Sequence, residues 1–242
     1  MIFFLLCAYN EARNIVEVIN KIRNIFYHYN YQIVVVNDGS TDETLQVLEE
    51  VKNSDLTIIS HSQNLGLGAA MRTGLDYIMK VINFKNDVVV TMDADNTHPV
   101  EITKFMLEKF SSGAHLVIAS RYCPGGKQYG VEFYRKLLSF VARVVLSILF
   151  PYHNLRDYTS GYRMYSGEIL KLLMLRYGKN FITQKTFAVQ LELLIKLLMF
   201  KPNLYEVPLN LEYYKKYGKS KLKIIKNVLA YIILIFQLKL SS

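Results

Sequence analysis

Short apolar runs at residues 2–8, 33–37, 56–60, 88–92 and 116–119 alternate with stretches of helical periodicity at 15–29, 43–51, 68–82 and 100–110. A strand that is followed by a helix of that length returns to a neighbouring parallel strand. The first half of the chain therefore predicts a mostly parallel sheet covered on both faces by helices. In such sheets ligands gather beyond the carboxyl ends of the strands. The polar residues that close each apolar run are thus the ones that matter for function.

Beyond Arg121 the texture changes. A Pro124-Gly125-Gly126 turn precedes an amphipathic helical stretch at 133–150, interrupted by Arg135, Lys136 and Arg143. A second apolar helix is expected at 181–200, a strand at 205–211, and a last hydrophobic stretch at 222–240. The 242 residues are enough for one large α/β domain with a full core. We assign 1–221 to that domain and 222–242 to a C-terminal hydrophobic helix. The uninterrupted apolar part of that helix, 228–238, reaches only about 17 Å at about 1.5 Å per residue. A span needs about 20 residues, so the segment lies in an interface, packs on the body or begins a membrane region. The net charge of +9 favours an anionic partner. Its scatter along the chain, without base-stacking motifs, argues against nucleic acid. Cys7 and Cys123 form no disulfide framework or zinc spacing. The first eight residues lack a basic leader, so they read as a strand and place the body in the cytoplasm.

The sharpest motif is Asp93-Ala94-Asp95-Asn96-Thr97-His98-Pro99. Two carboxylates one residue apart at a strand end suit Mg²⁺ or Mn²⁺ shared with substrate phosphates. Thr97 or His98 could also cap a helix that has Pro99 in its first turn. At the second strand end Ser40 and Glu43 have capping-box spacing, and Asp38 is placed to accept hydrogen bonds from a nucleobase or ribose. Ala8-Tyr9-Asn10-Glu11 puts polar groups at a third strand end. Asn64-Leu65-Gly66-Leu67-Gly68 resembles the start of a dinucleotide fingerprint, but Met71 stands at its third glycine. The segment is either a tight turn into a close-packed helix or a substrate loop. Asp157 and Arg163 flank a turn, where a local ion pair is the plain reading.

In this order, Tyr9-Asn10-Glu11, Asn37-Asp38-Gly39-Ser40, Asn64-x-Gly66-x-Gly68, Asp93-x-Asp95, Ser120-Arg121-Tyr122, Gly125-Gly126, Ser160-Gly161-Tyr162-Arg163, Val207-Pro208 and Gly218-Lys219-Ser220-Lys221 resemble glycosyltransferase family 2. The similarity is to its dolichyl-phosphate mannose synthase and polyprenyl-phosphate glycosyltransferase branch. It implies a GT-A, Rossmann-like fold: a mixed, mostly parallel sheet flanked by helices, with amphipathic membrane-interface helices. It further implies a nucleotide-sugar site from Ala8, Tyr9, Asn10, Glu11, Asp38, Asn64, Gly68, Asp93, Ala94, Asp95, Arg163 and Lys221. Metal would sit at Asp93, Asp95 and Thr97, and acceptor phosphate at Arg121, Arg135 and Ser139. Three positions depart from the family pattern: Cys7 replaces a common Pro, Thr97 a metal-binding Gln, and Lys215 an Arg.

The resemblance implies an enzyme that moves mannose or glucose, with inversion, from GDP-mannose or UDP-glucose to a polyprenyl or dolichyl phosphate. Mg²⁺ or Mn²⁺ at Asp93 and Asp95 would neutralise the departing diphosphate. The expected setting is the cytoplasmic side of a membrane, with the membrane surface as a partner. A phosphate acceptor is already largely ionised, its second pKa being about 6, and the cluster Arg121, Arg135 and Arg163 suits it. A hydroxyl acceptor is the alternative and would need a base, for which Asp157 is the candidate. A non-catalytic nucleotide-sugar-binding protein is the alternative of another class.

Overall fold

Strands rich in Val, Ile and Phe, apolar at nearly every position, are stable only when both faces are covered. That is how the chain uses them. The computed structural model describes residues 1–218 and 224–240. Its first half runs β1 (Ile2–Ala8), α1 (Ile15–Phe26), β2 (Tyr31–Asn37), α2 (Thr44–Glu50), β3 (Leu56–Ser60), α3 (Leu67–Val81), β4 (Val88–Asp93), α4 (Ile102–Ser111) and β5 (Leu116–Ser120). Successive side chains of a strand face opposite ways. Phe4 and Leu6 of β1 accordingly join one buried cluster with α1 and α4, and Phe3 and Leu5 another with α3.

The second half adds β6 (Lys127–Tyr129), α5 (Phe133–Leu149), β7 (Arg163–Ser166), α6 (Gly167–Tyr177), α7 (Val189–Leu198), β8 (Leu204–Pro208), β9 (Asn210–Glu212) and α8 (Ile224–Leu240). The main sheet has the order β3-β2-β1-β4-β7-β5-β8. Its pairs are parallel except those of β7, which lies antiparallel between β4 and β5. The α/β, mixed and mostly parallel expectation therefore stands. The helix expected at 181–200 is confined to α7. The strand expected at 205–211 breaks at Leu209 and serves two sheets, because β9 leaves β8 to pair with β6.

Chain order moves from β1 through β2 to β3 on one side, then returns to β4 on the other. The sheet's switch point, where α/β folds open a binding crevice, thus lies between the carboxyl ends of β1 and β4. The small β6–β9 sheet leads the chain back over that crevice: the Glu212 N–H donates to the Thr97 carbonyl at 3.0 Å.

The outer helices differ in how they pack. α5 buries Leu146 and leaves Leu137, Phe140, Val144 and Ile148 exposed, whereas Leu234 of α8 is buried in the α3 and α7 core. Among the described residues no helix is long and apolar enough to cross a membrane.

Candidate active site

β4 ends in Asp93, and Asn96 then turns the chain with φ +63°. His98 folds back so that its Nδ1 accepts the Asp93 N–H at 3.1 Å, and its ring stacks on Tyr162 with centroids 5.0 Å apart. Buried Tyr162 is itself fixed by a 2.7 Å hydroxyl contact with Thr103. These contacts hold the Asp93 backbone in place. The Asp95 carboxylate is oriented separately: Oδ1 accepts the Thr97 hydroxyl at 2.7 Å and the Thr97 N–H at 3.3 Å, and Oδ2 receives Lys216 Nζ at 2.6 Å. Neither Thr97 nor His98 caps a helix, because α4 begins only at Ile102, after Glu101.

The two carboxyls differ electrostatically. Burial pushes Asp95 upward, but the Lys216 ammonium and the Thr97 hydroxyl outweigh it and hold Asp95 below the usual carboxylate range. Partial desolvation in the crevice and the neighbouring Asp95 charge push Asp93 upward, against the pull of His98, although its side chain is still 44% exposed. Two hard oxygen donors at a strand end, one already carrying a cation, fit a divalent metal. Thr97 is used to aim Asp95. Among the described residues no group of three or more His, Cys, Asp or Glu side chains could hold a metal, so the remaining ligands would come from phosphate and water.

An open cavity of about 420 Å³ lies over this end of the sheet, bordered by Asp93, Asp95, His98, Arg121, Gly161 and Tyr213. Arg121 enters it already paired. Its Nε and Nη2 reach the two oxygens of Asp157 at 2.8 and 2.7 Å, and Nη2 also donates to the Thr159 hydroxyl at 2.6 Å. Asp157 is fully buried and also accepts the N–H groups of Arg121, Thr159 and Ser160. Burial pushes this carboxyl upward, yet the Arg121 charge and these donors hold it below the usual range. A fully buried carboxylate so bound braces the 157–161 turn. Asp157 pairs with Arg121 rather than with Arg163 across the turn. Arg163 instead points inward from β7, fully buried, and donates to the carbonyls of Gln190 and Tyr158.

The ends of β1 and β2 are tied together. Ser40 Oγ accepts the Asn10 N–H at 2.9 Å, so it does not form the expected capping box; Asp42 receives the Thr44 N–H instead. Asn10 turns with φ +54°, and Asn14 links Glu11 at 2.6 Å to the Tyr217 carbonyl at 3.2 Å. Ala8, Tyr9, Asn10 and Glu11 thus flank the switch point beside Asp93, Ala94 and Asp95. Asp38 is buried with both oxygens engaged: Oδ1 by His61 at 2.7 Å and by the Leu65 N–H, Oδ2 by the Gly66 N–H. It shapes the Asn64–Gly66 loop, on which Asn64 is exposed. At Gly68 a Cβ would lie 1.8 Å from the Gln184 carbonyl oxygen. Close packing of that loop is therefore enough to require glycine.

Of the residues expected at an acceptor, Arg135 donates to the hydroxyl of the cavity residue Tyr213 at 3.0 Å, and Ser139 accepts from Tyr122 at 2.8 Å. Lys221 lies outside the described residues. Two participants carried no local signal: His61, through Asp38, and Lys216, through Asp95, reach the site only by contacts distant in sequence.

The family model for glycosyl transferase family 2 matches residues 4–173. The chain belongs to glycosyl transferase family 2. A dolichol-phosphate mannosyltransferase of Pyrococcus furiosus is 33% identical over 218 residues, which cover 89% of this chain and 57% of the relative. A polyprenol monophosphomannose synthase of Mycolicibacterium smegmatis is 29% identical over 205 residues, 84% of this chain and 74% of the relative. The chain thus spans little more than half of the Pyrococcus protein. Among solved structures, Mycobacterium tuberculosis glucosyl-3-phosphoglycerate synthase with Mn²⁺, UDP and glucosyl-3-phosphoglycerate has a TM-score of 0.68 and 21% identity, covering 100% of this chain and 79% of that one. The same enzyme with Mn²⁺, UDP-glucose and phosphoglyceric acid has a TM-score of 0.69. The GT-A-like fold is shared throughout.

The expectations of a lipid phosphate acceptor, of a membrane surface as partner and of a place on the cytoplasmic side of a membrane are corrected. Structures that share the fold across the whole chain hold phosphoglyceric acid or glycerol 3-phosphate, neither of them a lipid. The arginine cluster that favoured a phosphate ester is not assembled: Arg121 is neutralised by Asp157, and Arg163 is buried on carbonyls. The C-terminal helix packs its Leu234 into the body, and no described helix can cross a bilayer.

Proposed function

We propose that this chain transfers a hexose from a nucleoside-diphosphate sugar, UDP-glucose or GDP-mannose, to a hydroxyl of a small acceptor. Residues 1–221 would form the catalytic unit and 222–242 an appended helix. The observation that carries the reading is the Asp93–Asp95 pair at the β1/β4 switch point, facing an open cavity. The solved relatives with Mn²⁺ and UDP-glucose support the donor class. Asp95 and Asp93 would hold Mg²⁺ or Mn²⁺, which supplies charge neutralisation to the leaving diphosphate. Residues 8–11 flank the nucleotide, and Asp38 acts through the loop that it braces. Thr159, Ser160 and Gly161 border the acceptor side. Asp157, committed to Arg121, is a poor proton acceptor for that hydroxyl. Inversion at the anomeric carbon follows the family resemblance.

The test incubates the protein and Mn²⁺ with each donor, and with 3-phosphoglycerate, glycerol 3-phosphate, simple sugars and a polyprenyl phosphate in detergent. Products are read by mass spectrometry and NMR, with Asp95→Ala as control. Sugar joined to a hydroxyl, lost in the variant, is expected. Transfer to the polyprenyl phosphate alone would overturn the hydroxyl reading.

A further inference from the structure

The segment from Tyr213 to Tyr217 crosses the switch point and is fastened on both sides of it. On the β4 side the Glu212 N–H holds the Thr97 carbonyl at 3.0 Å, and Lys216 Nζ holds Asp95 Oδ2 at 2.6 Å. On the β1 side the Tyr217 N–H donates to Asn14 Oδ1 at 3.1 Å, and Asn14 Nδ2 donates back to the Tyr217 carbonyl. Both partners in the Lys216–Asp95 pair are nearly enclosed, with side-chain exposures of 10% and 12%. Neighbouring Lys215 is used differently, on Glu212 within the same turn. Lys216 is thus the cation that this strap delivers to the acidic floor, where Asp95, Asp93 and Glu11 all contribute to its electrostatic surroundings.

We infer that Lys216 is an internal counter-ion which competes with the divalent metal for Asp95 and passes to the donor's diphosphate when metal and donor bind together. A metal ion and an ammonium cannot share Asp95 Oδ2 at 2.6 Å without strong like-charge repulsion. Metal alone must therefore displace Lys216 from a well-enclosed partner and leave the ammonium without its direct hydrogen-bonded counter-ion. Metal arriving with a diphosphate presents new anionic oxygens within the same crevice, which give the ammonium a second partner. The consequence is weak binding of metal by itself and positive coupling between metal and nucleotide. Lys216 is held in reach of both partners by the strap's Asn14 and Thr97 fastenings. The diphosphate half of this inference rests on the donor proposed above; the competition for Asp95 does not.

The experiment measures Mn²⁺ affinity by electron paramagnetic resonance and calorimetry on the full chain, with and without UDP or GDP, for the wild type, Lys216→Met and Lys216→Arg. Without nucleotide, Lys216→Met is expected to bind Mn²⁺ about tenfold more tightly, a change of about 1.4 kcal/mol. Lys216→Arg, which keeps the charge, should stay within about twofold of the wild type, about 0.4 kcal/mol. Nucleoside diphosphate should tighten Mn²⁺ binding more in the wild type than in Lys216→Met. Unchanged or weaker Mn²⁺ binding by a Lys216→Met protein that melts like the wild type would overturn the competition. Equal nucleotide coupling in both proteins would overturn the transfer to diphosphate. Failure of every protein to bind nucleotide with Mn²⁺ would instead refute the donor reading and, with it, the diphosphate half, while the Mn²⁺-only comparison still decides the competition.

Discussion

Asp157→Asn separates a brace from a base. The carboxylate is fully buried and receives two bonds from the Arg121 guanidinium, at 2.8 and 2.7 Å, and N–H groups from Arg121, Thr159 and Ser160. The amide keeps one acceptor oxygen but sets an NH₂ against two Arg121 donors or, if flipped, against the 159–160 amides. It also leaves the Arg121 charge without its counter-ion. Breaking a buried pair from one side costs about 3–5 kcal/mol. At about 2–4 °C per kcal/mol for a domain of this size, Tm should fall by roughly 6–20 °C. Circular dichroism melts and the transfer assay, run on one preparation, give both readouts. Activity measured well below the lowered Tm should persist at a reduced level. Because Arg121 holds the folded-state carboxyl below its unfolded value of about 3.9, the pair's stabilisation is complete above about pH 4 and is lost as pH falls through the lower folded-state value. Asp157→Asn should therefore flatten the acid limb of the stability profile. A variant with unchanged Tm and abolished transfer would refute the brace and restore Asp157 as the proton acceptor.

Gly68→Ala places a Cβ 1.8 Å from the Gln184 carbonyl oxygen, a backbone atom that cannot swing aside. A stability loss at the upper end of the usual ~1–3 kcal/mol for overpacking is expected in a urea melt, and a loss below about 0.5 kcal/mol would contradict the packing explanation. Lys196→Met orphans Glu192, which is 1% exposed and holds the Thr183 and Gln184 amides. A loss of about 3–5 kcal/mol is expected, with faster hydrogen exchange at Thr183 and Gln184; native exchange there would show that the loop does not depend on the pair.

Much of the sheet was legible because strands buried on both faces write themselves as unbroken apolar runs: β1 to β5 fall where the alternation puts them. β7 was not, since Arg163-Met164-Tyr165-Ser166 is short and polar at both ends. Its antiparallel insertion between β4 and β5 follows from tertiary pairing that no βαβ pattern encodes. Asp93 and Asp95 were legible as strand-end carboxylates with no fully structural explanation. Arg163 was not, because an arginine that satisfies buried carbonyls looks in sequence like one awaiting an anion. Asp38 was visible, but its partner His61 became so only in three dimensions. Lys216 meets Asp95 across 121 positions, a distance over which local reading has no purchase.

A nucleoside-diphosphate sugar that binds at the β1/β4 crevice should do so through a metal held by Asp95. The most direct test is calorimetric titration of UDP-glucose and GDP-mannose into the wild type and Asp95→Ala, each with and without Mn²⁺. Binding of one donor is expected to require Mn²⁺ and to disappear in Asp95→Ala, while the variant stays folded. Binding that ignores both the metal and the substitution would contradict this expectation.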